Sequence, residues 1–453
     1  MSDIKDLEKA LSKLDADGTT ASPAGLQVSV REIPECPTPA KSELDDPIKP
    51  ELEDPAPDGG LAAWLQVLNN VLINCMAWGY PAAFGVFQLY YTETLNLDSS
   101  DVSWIGSFQI FLCFAMCAPS GRLADAGYSR ETTIVGSVFL VLGTFMTSLC
   151  TKYWQIFLAQ GVCTGIGIGL IYMPAIVVMT AYFSKRQAIA MGLGGTGTSI
   201  GSALFPAVVQ YLIPAVGFAW AVRCLAFLFL LMSITSVMLI KPRLPPRNGG
   251  SIFELEAFKE ASYVLYTVGT FFIFFALYFT SFYVQTYATE FLGFTDSTSV
   301  VLAIVLSAVG VPARGFAGFA ADFLIGPMNV YIISTVLLGI VTITWIAVSS
   351  SAGMYAFVVC WGLANGCLQA AFGGSLAGLT KDPTKMGTRY GMVCTLLAIA
   401  TLAGPPTAGA IIESSGGRYL PAQIWAAVVT LLGAVTVAVG RWWVTGWNAF
   451  VKI

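Results

Sequence analysis

The sequence predicts an all-α polytopic membrane protein: twelve transmembrane helices in two pseudo-symmetric six-helix halves. Three observations predict it. The composition suits no water-facing surface, twelve apolar runs have spanning length, and the basic residues between those runs fall on one side. Of 453 residues, 56% are hydrophobic and 11% charged, whereas a soluble domain carries about 25% charge. Mean hydropathy is +0.71. So few charges cannot cover a globule in water, so the solvent is a bilayer. Net charge is −4 and His is absent, which excludes proton relays and metal sites built on imidazole.

Residues 1–58 stand apart, with 14 acids, 6 bases and 8 prolines and no sustained apolar period. They read as a disordered, acidic, cytoplasmic tail. Ile4, Leu7, Leu11 and Leu14 share one helical stripe, which fits a short amphipathic helix or a frayed end equally. The opening residues lack the apolar core of a signal peptide, so the first membrane helix is expected to direct insertion. The first half, 59–240, holds runs at Leu61–Leu89, Val102–Leu123, Thr133–Cys150, Trp154–Tyr182, Gln187–Ile213 and Phe218–Ile240. A Pro-, Gly- and charge-rich stretch, 241–262, reads as a cytoplasmic linker. The second half, 263–453, holds runs at Tyr263–Tyr287, Ser299–Ala321, Val330–Val348, Tyr355–Leu379, Gly391–Ile412 and Ile424–Val444. Each run approaches the roughly 20 residues that a spanning helix needs.

Charge tests this count. With both termini inside, the inner loops and C-terminal end carry 13 basic residues, among them Arg130, Lys185, Arg186 and Arg389. The outer loops carry only Lys152 and Arg418. Eleven or thirteen spans would scramble this asymmetry, so both termini are expected in the cytoplasm. Nine of ten cysteines lie in apolar runs, and none forms C-x-x-C. They read as small buried residues. The halves also share a trace of repetition. Gly121 and Asp125 in "GRLAD" recur as Gly318 and Asp322 in "GFAAD", both offset by 197 residues. Two such halves are a transporter signature.

"MGLGGTGTSIG", Met191–Gly201, spells the G-x-G-x-x-G of dinucleotide-binding turns. That fingerprint needs a preceding strand and an acid about 20 residues on. A charged stretch precedes it here, and no acid occurs from Thr132 to Phe253. The alternative is small-x-x-x-small packing, in which Gly192, Gly197 and Gly201 let a neighbouring backbone come close. In the second half, "AGPPTAG" with Pro405 and Pro406 takes the corresponding place, where helix contacts are expected to shift or to pack statically.

These stretches resemble the Major Facilitator Superfamily, and within it the fungal members of the monocarboxylate-porter branch. "GRLADAGYSR" is similar to the superfamily's loop between helices two and three at Gly121, Leu123, Ala124, Asp125 and Arg130, with Ala126 in place of Arg. "PDGGLAAW" resembles the branch's approach to helix one at Asp58, Gly59 and Gly60. The most specific match is at helix five: Tyr182, Phe183, Lys185, Arg186, Ala190, Gly192, Gly197 and Gly201. It assigns the glycines to a packed membrane helix. The resemblance covers roughly Pro57 to the C-terminus. It implies alternating access, with Gly121, Asp125, Arg130, Gly318, Asp322, Lys185 and Arg186 in gating. Ala82 and Gly310 stand where proton-coupled lactate carriers have a Lys and an Asp, so the resemblance carries the fold further than proton–lactate symport.

A charge at mid-membrane costs about 2.5–3.5 kcal/mol on insertion scales. Only Arg223 and Arg314 lie there. Arg314, beside Pro312, is the candidate counter-charge for a carboxylate, which its fork can hold bidentately; the alternative is a structural Arg. Arg223 lies near a helix end and can snorkel. Asn70 with Asn74, and Asn365 with Gln369, form polar pairs at i, i+4. They suit substrate binding or interhelical bonds. No Ser/His, Cys/His or metal cluster occurs, so no enzyme, cofactor or metal is expected. The expected function is a secondary transporter of a small organic anion, monocarboxylate-like, or a related metabolite. An exporter of a fungal secondary metabolite is one alternative and a transporter-like nutrient sensor another. Expected partners are the bilayer and a small-molecule substrate, with or without a coupled proton. No nucleic acid is expected, and the chain is expected to work as a monomer in the plasma membrane.

Overall fold

The computed structural model describes residues 56–245, 254–380 and 382–446. The tail up to Pro55, the linker residues 246–253 with Arg247, and Lys381 and Lys452 lie outside the described residues. Twelve helices cross between two ends. They are α1 (Gly60–Glu93), α2 (Ser99–Ala115 continued by Cys117–Asp125), α3 (Ser129–Thr147), α4 (Tyr153–Thr180), α5 (Gln187–Val216) and α6 (Phe218–Leu239). Then follow α7 (Ala261–Leu292), α8 (Asp296–Phe319), α9 (Pro327–Thr344), α10 (Ser351–Leu379), α11 (Met386–Ser414) and α12 (Leu420–Thr445). Eleven of them are long and apolar enough to span by length and composition. The exception is α3, whose first turn carries Arg130 and Glu131 and shortens its apolar stretch.

Several helices are locally irregular. In α1 the break falls at Ala83, two residues after Pro81, whose ring removes one backbone donor. In α2 it falls at Met116. A π-helical turn occupies Phe157–Cys163 within α4, and another, Ala320–Ile325, ends α8. The fifth helix begins at Gln187 as expected. The eleventh begins five residues before the expected Gly391, and the charge of Arg389 in its first turn is paired with Glu254 and Glu260.

All loops that begin or end with Gly60, Asp125, Thr180, Leu239, Ala261, Ile325, Leu379 and Met386 gather at one end, the basic end. Within each half, α1 packs along α5 and α7 along α12. The halves meet along two seams, α5 with α8 and α2 with α11. The glycine run of α5 lies in mid-helix at such contacts. A Cβ on Gly197 would strike the Val71 carbonyl, one on Gly201 the Cys75 carbonyl, and one on Gly192 would lie 2.7 Å from the Arg314 carbonyl oxygen. At the corresponding place in α11, Gly404 meets the Phe275 carbonyl of α7, and the Tyr283 hydroxyl donates to the Pro405 carbonyl at 3.4 Å.

Candidate functional site: a central cavity and its floor

A small cavity of about 60 Å³ lies between the halves. Helical spacing builds each wall. On α1, Asn70, Asn74 and Trp78 recur at i, i+4, i+8 and face the space together. On α10, Gln369 and Phe372 do the same, and on α7, Phe274 and Tyr278. Arg314 of α8 is 5% exposed and is the only charged side chain among the described residues that line it. Its Nε donates to Ser199 Oγ at 3.3 Å and its Nη2 to Gln369 Oε1 at 2.7 Å. Gln369 is itself fixed, since its Nε2 donates to Asn365 Oδ1 at 3.0 Å. Among the described residues Nη1 has no hydrogen-bond partner, and it lies beside Gly195 on the cavity wall. The guanidinium is thus held in one plane by two neighbours, with its remaining donors free for a ligand.

Opposite it, Asn74 Nδ2 donates to Asn70 Oδ1 at 3.0 Å, and Thr198 Oγ1 donates to Asn74 Oδ1 at 3.3 Å. Most of the rest of the wall is aromatic, with Ile176, Met191, Ala370 and Gly373 between the rings. Trp78 meets Tyr172 edge-on at 5.5 Å between ring centres and Phe114 at 5.0 Å. Phe114 crosses to the second half at Phe274, 6.1 Å away. From there the rings continue through Phe372 at 5.6 Å to Tyr390 at 5.2 Å.

The cavity is closed toward the basic end by two equivalent carboxylate caps. Asp125, at the end of α2, accepts the N–H groups of Gly387 at 2.9 Å and Thr388 at 2.7 Å, on the first turn of α11. Asp322, at the end of α8, accepts those of Ala188 at 3.0 Å and Ile189 at 2.7 Å, on the first turn of α5. Each carboxylate satisfies orphan donors at a helix N-terminus, where the helix dipole also favours it. Gly121 and Gly318 allow the close approach: a Cβ on the first would strike the Gly387 carbonyl, and one on the second would lie 2.8 Å from the Ala188 carbonyl oxygen. Two residues past each capped pair, Met191 and Tyr390 turn into the cavity and converge on Gly373 of α10. The caps and the floor are therefore parts of the same two helix turns.

Outside the membrane spans, Glu254 ties the linker to α11 through Lys385 Nζ at 2.6 Å and Arg389 Nε at 3.4 Å. Burial pushes its carboxyl up, but these two cations outweigh it and hold it below its ordinary value.

Of the five residues expected to bind substrate, Arg314, Asn70, Asn74 and Gln369 line the cavity. Asn365 does not; it holds Gln369. Asp125 and Asp322 form the caps, with Gly121 and Gly318 beneath them. Arg130, Lys185 and Arg186 are exposed at the basic end, and their side chains make no bond among the described residues. The amides of Ser184 and Lys185 instead donate to Asp58 Oδ1 at 2.6 and 2.7 Å. Arg223 lies apart, over the Trp220 ring and bonded to Ser148 Oγ at 3.2 Å. Sequence reasoning missed the rings. The available signal was one more helical step from each polar pair, from Asn74 to Trp78 and from Gln369 to Phe372 and Gly373.

A twelve-helix bundle with a polar-and-aromatic cavity between two halves, capped at one end, is the architecture of a membrane carrier that exposes one site to either side in turn. A model of the Major Facilitator Superfamily matches residues 68–371. The chain belongs to this superfamily and is a transporter. It is 35% identical to an MFS-type transporter of Gibberella zeae, with 91% of this chain and 94% of the relative covered. It is 35% identical to the Aspyridones efflux protein apdF of Emericella nidulans, over 86% and 80%. It is 33% identical to the Agnestins efflux protein AgnL12 of Paecilomyces divaricatus, over 91% and 94%. Among solved structures, the fold is similar to FucP, TM-score 0.64 at 13% identity, covering 83% of this chain and 99% of FucP. It is also similar to the human organic anion transporter MFSD10, TM-score 0.63 at 15% identity, covering 83% and 99%. These sequence relatives are fungal MFS transporters, two of them efflux proteins by name, and none is named specifically as a monocarboxylate porter.

Proposed function

We propose that this transporter exports an acidic, aromatic secondary metabolite from a fungal cell across the plasma membrane. The carrying observation is the pairing of one buried cation, Arg314, with a continuous wall of aromatic rings. A small monocarboxylate would use Arg314 and leave most of the wall uncovered; a ring-bearing acid covers both. The efflux names of the relatives support the outward direction. The basic asymmetry supports termini and linker in the cytoplasm. With that orientation the capped end is cytoplasmic, and the structure corresponds to the carrier closed toward the cell interior. The protein works as a monomer, with Asp125 and Asp322 as its inner gate.

Transport of a panel of labelled aromatic and aliphatic carboxylates in vesicles, normalised to surface expression, tests the reading. Arg314→Gln should nearly abolish transport of the aromatic acids in a protein that still folds and reaches the membrane. Arg314→Lys keeps the charge, loses the fork, and should retain part of it. Wild-type rates in Arg314→Gln would make Arg314 structural and remove the anion assignment.

A further inference from the structure

What drives the cargo depends on where the ionisable groups stand among the described residues. Each described carboxylate lies outside the helices or within about one turn of a helix end. Asp58, Asp125, Glu131, Glu254, Glu256, Glu260, Asp322 and Asp382 belong to the basic end, and Glu93, Asp98, Asp101, Glu290 and Glu413 to the other. The chain contains no His. Around Arg314, α5 presents Gly192, Gly195 and Ser199, and α10 presents Gln369 and Cys367. Tyr172 of α4, Tyr278 of α7 and Tyr390 of α11 complete its titratable surroundings. Thiols and phenols ordinarily ionise above about pH 8, and a guanidinium stays charged throughout. Among the described residues, nothing beside the cargo site therefore changes its proton occupancy near neutral pH.

We propose that transport here is electrogenic anion uniport: the acid leaves as its anion, driven by the interior-negative membrane potential, and no proton returns in exchange. This rests on the anion reading of the same site. The empty cavity carries the single positive charge of Arg314, and the anion neutralises it. The loaded carrier thus presents a neutral site to the membrane field, and the unloaded carrier presents a cation. An interior-negative potential draws the unloaded cationic site back toward the cytoplasm, and one negative charge leaves the cell per cycle.

The purified full chain in liposomes tests this with radiolabelled 2-naphthoate, protein-free liposomes being subtracted. With equal pH on both sides and a potassium–valinomycin potential of about 59 mV, interior positive, the probe should accumulate about tenfold. A pH gradient with the potential clamped at zero should add nothing. Accumulation that follows the pH gradient and ignores the potential would overturn uniport while leaving the anion reading intact. No protein-dependent movement under either gradient, together with no binding of 2-naphthoate to the purified protein, would overturn both.

Discussion

Arg314 shows how one side chain can be rigid and available together. Ser199 and Gln369 fix its plane, while Nη1 remains for a ligand. A resident carboxylate should therefore compete with cargo. Gly310 lies one turn before Arg314, and a Cβ there meets Ser199, its hydroxyl at 2.6 Å and its Cβ at 3.7 Å, so the hydroxyl that accepts from Arg314 Nε must turn aside and leave the fork to the new carboxylate. Gly310→Asp should fold, bind Arg314 internally and cut anion transport by roughly tenfold or more, the worth of a charge-assisted hydrogen bond. Uptake normalised to folded protein measures it, and unchanged uptake would mean that cargo does not use the fork. Arg314 was legible in the sequence because a charge at mid-membrane stands out against apolar neighbours. The aromatic wall was not. Phe316 faces outward and is 65% exposed, whereas Phe372 lines the cavity. In a bilayer both surroundings accept a ring, so residue type does not separate them. Asn365 illustrates the same limit: its i, i+4 pairing with Gln369 is real, yet only Gln369 reaches the cavity.

At the scale of helices, the seam between α1 and α5 is main chain against main chain. A Cβ on Gly79 would lie 2.6 Å from the Gly201 Cα, and one on Gly201 would strike the Cys75 carbonyl. Gly201→Leu should lower the yield of folded protein and slow transport, since backbone cannot yield as a side chain can; overpacking of this kind costs about 1–3 kcal/mol or more. Gly315→Ala, where a Cβ meets nothing within 4 Å, is the matched control and should leave yield unchanged. Size-exclusion profiles in mild detergent compare the two, and equal profiles would refute the packing role. The number and order of helices were readable because spanning length and apolarity are strong, local signals. The breaks at Ala83 and Met116 and the π-helical turns were not. Pro81 precedes the first break by two residues and Pro119 follows the second by three, so each has a proline near it, but a proline alone does not say where within the turn the helix gives way.

For the whole molecule, orientation follows from charge rather than from packing. A glycosylation acceptor fused after Ile453 should stay unmodified in cells, and modification would place the basic end on the outer side and invert the proposed direction. The internal repeat was legible as two short motifs, but its meaning needed three dimensions: each motif's Asp reaches into the other half. One consequence concerns inheritance. Both caps are received mainly by peptide N–H groups, which nineteen of the twenty amino acids supply equally, with the Thr388 hydroxyl also donating to Asp125 at 2.7 Å. The receiving positions Ala188, Ile189 and Gly387 can therefore drift in identity without weakening the closure, provided that proline is avoided and the glycine is not enlarged. The lineage is left free to remodel Met191 and Tyr390 two residues further on, and with them the shape of the cavity floor. Closure and cargo choice are written in separate alphabets, the first in backbone and the second in side chains, so one can be held constant while the other diversifies.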